Sequence, residues 1–186
     1  MDAKPRCGWC EKDDLYRCYH DDEWGRPVRD DHTMFEFLIL ETFQAGLSWY
    51  TVLAKREHFR KAFDHFDFEK VSQYDEAKVQ ALLQDTGIIR NQLKIRAAIT
   101  NAQAYRKVRE EFGSFCNYSW SFTGGNPIDN APATLSDIPA STPLSDAISK
   151  DLKKRGFKFV GTTVVYAHMQ ATGMVNDHLV SCWTRN

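Results

Sequence analysis

Hydrophobic positions recur along this chain at helical intervals. Phe35, Leu38, Ile39 and the pair Thr42–Phe43 share one face of a helix expected to begin near Asp31. Trp49, Val52, Leu53, Phe59, Ala62 and Phe63 mark a second helix. Ser48 is its expected N-cap, because a serine hydroxyl accepts from the free amides of a first turn. The longest stripe runs through Ile95, Ala98, Ile99, Ala102, Tyr105, Val108 and Phe112 at i, i+3, i+4, i+7 spacing. Thr142-Pro143 supplies an N-cap and a proline at the first helical position. Leu144, Ala147, Ile148 and Leu152 continue that helix, and Gly156 stops it. Residues 162–172, between Gly161 and Gly173, are mostly apolar all round and predict a buried helix.

No segment alternates as a strand does. Phe122–Pro143 is the least regular stretch, with a turn at Gly124-Gly125-Asn126-Pro127. It reads as a loop inside the domain, since a helical pattern that needs a core resumes after it. The expectation is an all-α fold without internal repeats, in a single domain over residues 1–186.

Composition narrows the partners. The chain has 186 residues, 42% of them hydrophobic and 13% aromatic, and the aromatic share exceeds what a core alone requires. With 24 basic and 25 acidic residues the net charge is −1, which excludes broad phosphate neutralisation and leaves room for a local basic patch. The longest apolar runs, such as Phe37–Leu40, are too short for a bilayer, and residues 1–15 carry no signal core. A cytoplasmic protein with no membrane partner is expected. Five cysteines in such a setting argue for reduced thiols or metal ligation over a disulfide framework.

Metal-ligating residues gather at the two ends of the chain. Cys7, Cys10, Cys18 and His20 lie near the start, His178 and Cys182 near the end. His178 and Cys182 are four apart, so a helical turn would aim both the same way. Spacing alone favours Cys7 and Cys10 as a C-x2-C pair completed by those two in a tetrahedral zinc site. The alternative is a scatter of buried thiols and surface histidines. A real site would tie the two ends together and close a very long loop.

A second constellation surrounds Glu41. It sits in the run Phe35–Phe43, apolar on most sides, where an unpaired carboxylate is costly and its pKa rises. Such a glutamate either pairs with a cation or serves a site. Two features favour a site. A short turn, Gln44-Ala45-Gly46-Leu47, separates it from Trp49, and Tyr16, Tyr19 and Trp24 precede it. Aromatic rings beside an acid make a pocket for a flat, positively charged ring.

Cys7-Gly8-Trp9, Tyr19-His20-Asp21-Asp22-Glu23-Trp24-Gly25 and Gln44-Ala45-Gly46-Leu47-Ser48-Trp49 together resemble the 3-methyladenine DNA glycosylase I family, the constitutive bacterial type. So do Asp85-Thr86-Gly87-Ile88-Ile89-Arg90, Lys153–Thr163 and Val175-Asn176-Asp177-His178, and the blocks span nearly the whole chain in order. The resemblance implies a helix-hairpin-helix glycosylase fold and a structural zinc ion on Cys7, His20, His178 and Cys182, leaving Cys10 a spare thiol. It implies that Trp49 stacks on the base, that Glu41 and Tyr19 make its polar and catalytic contacts, and that Tyr16 and Trp9 wall the pocket. It implies that Ala45, Gly46 and Leu47 enter the duplex, while Thr86, Gly87, Ile88 and Arg90 grip the backbone, with Lys94 and Arg96 adding charge nearby. Ile89 stands where a typical hairpin has a second glycine.

The activity so implied is release of 3-methyladenine from alkylated double-stranded DNA by a monomer, with the free base as product. Many glycosylases of the helix-hairpin-helix superfamily carry an aspartate after the hairpin helix that assists bond cleavage. Residues 95–112 contain no Asp, only Glu110 and Glu111, and the family this chain resembles also lacks that aspartate. No lysine stands out as a Schiff-base nucleophile, so the enzyme is expected to be monofunctional. A non-enzymatic DNA-binding module has no use for a buried Glu41. A zinc-stabilised interaction protein does not account for the basic Lys150–Lys158 segment and the hairpin.

Overall fold

The structure is a computed structural model that describes residues 4–185. Short polar side chains set where its helices begin. Asp13 accepts from the Tyr16 amide at the start of α1 (Asp14–Asp22), and Asp30 accepts from Thr33 at the start of α2 (Asp31–Gln44). The expected second helix is split into α3 (Trp49–Leu53), capped by Ser48 as predicted, and α4 (Arg56–Ala62). The break has a tertiary cause. Lys55 at the junction reaches out to the carbonyls of Thr86 and Gly87, while Arg56 turns inward to Glu36.

Next come α5 (Phe68–Val71) and α6 (Glu76–Gln84). The long stripe becomes α7 (Gln92–Phe112), with Asn91 as its N-cap, and α8 (Phe115–Ser121) follows. Thr142 and Ser145 form a reciprocal capping box at the head of α9 (Pro143–Lys154), and α10 (Thr162–Ala171) is the buried helix expected from its composition. Strand content is confined to one parallel pair among the described residues, β1 (Ile128–Asp129) with β2 (Val175–Asn176). Two residues are too few to leave an alternating pattern in sequence, which is why it was not foreseen. The fold is thus mostly helical, and among the described residues no helix is long and apolar enough to cross a membrane.

Helix α2 is the axis of the molecule. Every residue from Met34 to Phe43 is buried, and α3, α7, α8 and α10 pack around it. Fully burying one of its phenylalanines contributes about 2–3 kcal/mol. Asp31, at its first turn, also accepts from the amides of Phe115 and Cys116 and pairs with Arg109, so one carboxylate orients α2, α7 and α8 together. A smaller cluster, Cys7, Tyr19, Trp24, Phe37, Leu53, Ala171 and Cys182, lies beneath the N-terminal segment. Trp49 and Val28 pack against both clusters, and the pocket described next opens at that seam.

Candidate active site

A pocket of about 280 Å³ is lined by Trp9, Tyr16, Tyr19, Glu41 and Trp49, the residues expected to hold a base. Helix α1 carries the tyrosines, α2 the acid and α3 the tryptophan. Trp24, Gln44, Leu135, Ile138, Ala167 and Gln170 complete the lining. Of these, Trp24 and Gln44 stand inside the recognised motifs. The others come from remote loops and from α10, with no signal in the local sequence. Trp9 meets Tyr16 and Trp24 edge-on, at 4.9 and 5.0 Å between ring centres, and Tyr19 is tilted against Trp49 at 5.3 Å.

Glu41 is 3% exposed, and its Oε2 has no hydrogen-bond partner among the described residues. The salt bridge that would give it a purely structural role is absent among those residues. Burial alone raises its pKa from 4.5 to about 8. The neighbouring Tyr19 hydroxyl is pushed up as well, by burial first and by Glu41 second. The indole N–H of Trp49 is also buried and unpartnered. An unpaired acceptor and an unpaired donor within an aromatic box suit a flat, polar-edged and electron-poor guest.

The chain ends converge behind this pocket. The donor atoms of Cys7, His20, His178 and Cys182 all lie within 4.8 Å of one another, and all four residues are buried. Cys182 Sγ is 3.5 Å from His20 Nε2 and 3.6 Å from His178 Nδ1, and Cys7 Sγ is 3.6 Å from that same Nδ1. The other ring nitrogens are already engaged. His20 Nδ1 donates to Asp21 at 2.7 Å, and His178 Nε2 donates to the Trp24 carbonyl at 2.9 Å. Those bonds leave the second nitrogen of each ring on the side of the sulfurs, as metal ligands require, and at His178 the Thr184 hydroxyl also comes within 2.9 Å of that Nδ1. Arg6 in turn holds Asp21 through both carboxylate oxygens. Burial pushes the Cys7 thiol up to about 12 and the His178 ring down to about 4. A neutral His178 and a Cys7 thiol that ionises only beside a cation fit zinc.

The spacing argument is corrected on two points. Cys10 is buried but lies outside the donor cluster, and His20 stands in its place. His178 and Cys182 converge through a turn, not a helix, because β2 precedes them and the Cys182 amide donates to the Leu179 carbonyl.

Of the two segments expected at DNA, Gly46, Leu47, Thr86 and Arg90 are exposed, whereas the Ile88 side chain is 3% exposed and packs into the main core, so only its backbone is left to meet a phosphate. After α2, Ala45 has φ −45° and ψ 116° and Gly46 has φ +79°, as in a type II turn, and Leu47 is 42% exposed at its tip. At the hairpin Asp85 accepts from the Gly87 amide at 2.7 Å. A Cβ on Gly87 would come within 2.7 Å of the exposed His58 ring, so a larger residue there requires that ring to move. Arg90 is exposed and pairs with no carboxylate among the described residues. The extra charge expected from its neighbours is not available. Arg96 is bound to Glu76 at 2.8 Å, and Lys94 is buried.

A helical scaffold that sets an unpaired acid in an aromatic box and clasps its own ends with four buried thiol and imidazole groups defines a base-excising class of protein. The chain belongs to the methyladenine glycosylase family, whose profile matches residues 9–186. It is 53% identical over 177 residues to DNA-3-methyladenine glycosylase 1 of Escherichia coli, covering 95% of each chain. It is similar to a crystal structure of a 3-methyladenine DNA glycosylase I, with TM-score 0.92, 51% identity and coverage of 96% of this chain and 98% of that one. It is also similar to the Staphylococcus aureus enzyme, in a structure addressing how that protein recognises 3-methyladenine, with TM-score 0.94, 36% identity and coverage of 97% and 96%.

Proposed function

We propose that this chain is a monofunctional DNA glycosylase that removes 3-methyladenine from alkylated double-stranded DNA. The observation that carries the reading is Glu41, a buried carboxyl with an unpartnered oxygen in the pocket that Tyr19 and Trp49 also line. Alkylation at N3 makes adenine cationic. A flat cation stacked on Trp49 supplies the charge that Glu41 lacks and draws it into its ionised form, in which it accepts from the amino edge. Tyr19 adds a polar contact, and Tyr16 and Trp9 close the walls.

Extruding the nucleotide costs a few kcal/mol, least for a damaged base. In this reading Ala45, Gly46 and Leu47 fill the gap left in the duplex. The turn at Thr86, Gly87 and Ile88 acts as the hairpin of a helix-hairpin-helix element, and with Arg90 it holds phosphates. Water then bonds to the anomeric carbon as the glycosidic bond breaks. The bonding electrons neutralise the departing base, and a proton passes to solvent. An abasic sugar remains. Because the base leaves neutral, no strong general acid is needed. Zinc on Cys7, His20, His178 and Cys182 takes no part in that step. Held by these four residues, it would neutralise the buried donors and would tie the N-terminal segment over the pocket.

Incubation with N-methylated duplex DNA, followed by chromatography of the released bases, tests the proposal. Free 3-methyladenine should appear, and 7-methylguanine should not, because guanine presents a carbonyl to Glu41 where adenine presents an amine. Efficient release of 7-methylguanine would overturn this account of the pocket. Elemental analysis should give one zinc per chain. Cys182→Ala should lose it, while Cys10→Ala should keep it.

A further inference from the structure

Lys94 is 6% exposed, and among the described residues no carboxylate pairs with it. Its ammonium donates instead to two backbone carbonyls, Phe43 at 2.8 Å and Ala45 at 2.5 Å. Burial lowers its pKa, so the site holds this charge at a cost. The two carbonyls belong to the open C-terminal end of α2, where a cation is favoured, and they flank the residues from which the Gly46–Leu47 turn springs. The same residue also belongs to the hairpin. Lys94 lies in the first turn of α7, and its backbone amide donates to the capping side chain of Asn91 at 3.1 Å.

A second lysine runs the opposite way. Lys55, between α3 and α4, donates to the carbonyls of Thr86 and Gly87 at 3.3 and 3.2 Å. The turn's side of the molecule therefore holds the hairpin, and the hairpin's helix holds the turn.

We infer that Lys94 is a positioning residue that locks the Ala45–Ser48 turn to the hairpin helix, with Lys55 as the reciprocal brace, so that the element entering the duplex and the element holding its backbone move as one body. The inference rests on the proposed action on DNA. It assigns these lysines to the protein's own carbonyls and not to phosphates. A turn held this way meets the duplex already in register, and a loose one loses rate in the extrusion step while leaving the pocket intact.

The test compares wild type, Lys94→Met, Lys94→Arg and Lys55→Met. The readouts are single-turnover release of 3-methyladenine from methylated duplex, binding of free 3-methyladenine by tryptophan fluorescence, and hydrogen exchange at the Gly46, Leu47 and Ser48 amides. Lys94→Met should release base about ten- to a hundredfold more slowly. Its affinity for the free base should stay within about twofold of wild type, and exchange should accelerate in the turn. Lys94→Arg, which keeps the charge and the donors, should restore most of the rate. Unchanged release, or a fall in free-base binding in step with release, would overturn the inference. If Lys94→Met does not fold, Lys55→Met decides, with a several-fold loss of release expected and no loss counting against the brace. A wild-type protein that releases no 3-methyladenine would sink the proposed function, while exchange in the turn would still judge the brace.

Discussion

Two buried glutamates on α2 have opposite circumstances. Glu36 is 4% exposed and Glu41 3%, and they lie less than two turns apart on a helix whose other central residues are almost all apolar. Glu36 meets Arg56 at 2.5 Å and Arg60 at 2.9 Å, and Arg56 also reaches Glu23 at 2.7 Å. Glu41 meets no cation among the described residues, and the opening beside it is walled by aromatic rings. Equal burial thus serves two ends. A carboxylate with its charge balanced inside the protein stabilises the fold, and one left unbalanced is kept for a guest that brings the balance. The Cys–His cluster joins the first kind as soon as a cation binds, since its second ring nitrogens and Asp21 are already satisfied.

Removing each acid should separate the two roles. Glu36→Ala leaves the buried Arg56 with Glu23 as its one remaining carboxylate among the described residues and should cost about 1.5–3 kcal/mol in urea unfolding, while the protein that remains folded keeps its selectivity for 3-methyladenine. A smaller loss, or a changed base preference, would erase the distinction. Glu41→Gln should do the reverse. Its stability should rise by a few kcal/mol at pH above 8, because the buried acid no longer has to ionise. Selection for 3-methyladenine should fall roughly tenfold to a hundredfold with the fold intact.

The sign follows from the raised pKa. Between pH 4.5 and about 8 the folded chain keeps a proton on Glu41 that the unfolded chain has released, so wild-type stability declines as pH rises through that window. In Glu41→Gln this contribution to the decline should vanish, and an unaltered slope would show that Glu41 is partnered in solution. The smallest effect is expected at Asp21. Asp21→Asn should leave the four metal donors in place and weaken zinc binding about ten- to a hundredfold, measured by chelator competition.

The helices of this protein are decided locally. The apolar spacing of Phe35–Phe43 and of Ile95–Phe112, the caps at Ser48 and Thr142 and the all-apolar face of residues 162–172 are all legible in sequence, because they depend on side chains within a turn of one another. Recurring motifs, read as a family resemblance, named Trp9, Tyr16, Tyr19, Glu41 and Trp49, and the folded chain gathers them at one pocket.

What spacing could not decide was which residues meet across the chain. It favoured Cys10 over His20, since nothing local says that a histidine in the last turn of α1 will face Cys182, 162 positions away. It ran α3 and α4 together, because the contact that parts them is to Thr86 and Gly87. The resemblance put Lys94 among the charges beside the hairpin, and its burial came only from the packing of α7 against the end of α2. Gln170 and Ile138 reach the pocket from separate elements and carry no mark of it in sequence. Local order follows from short-range sterics and capping, whereas a partner for a buried charge is set by which surfaces the core brings together, and only the folded chain contains that information.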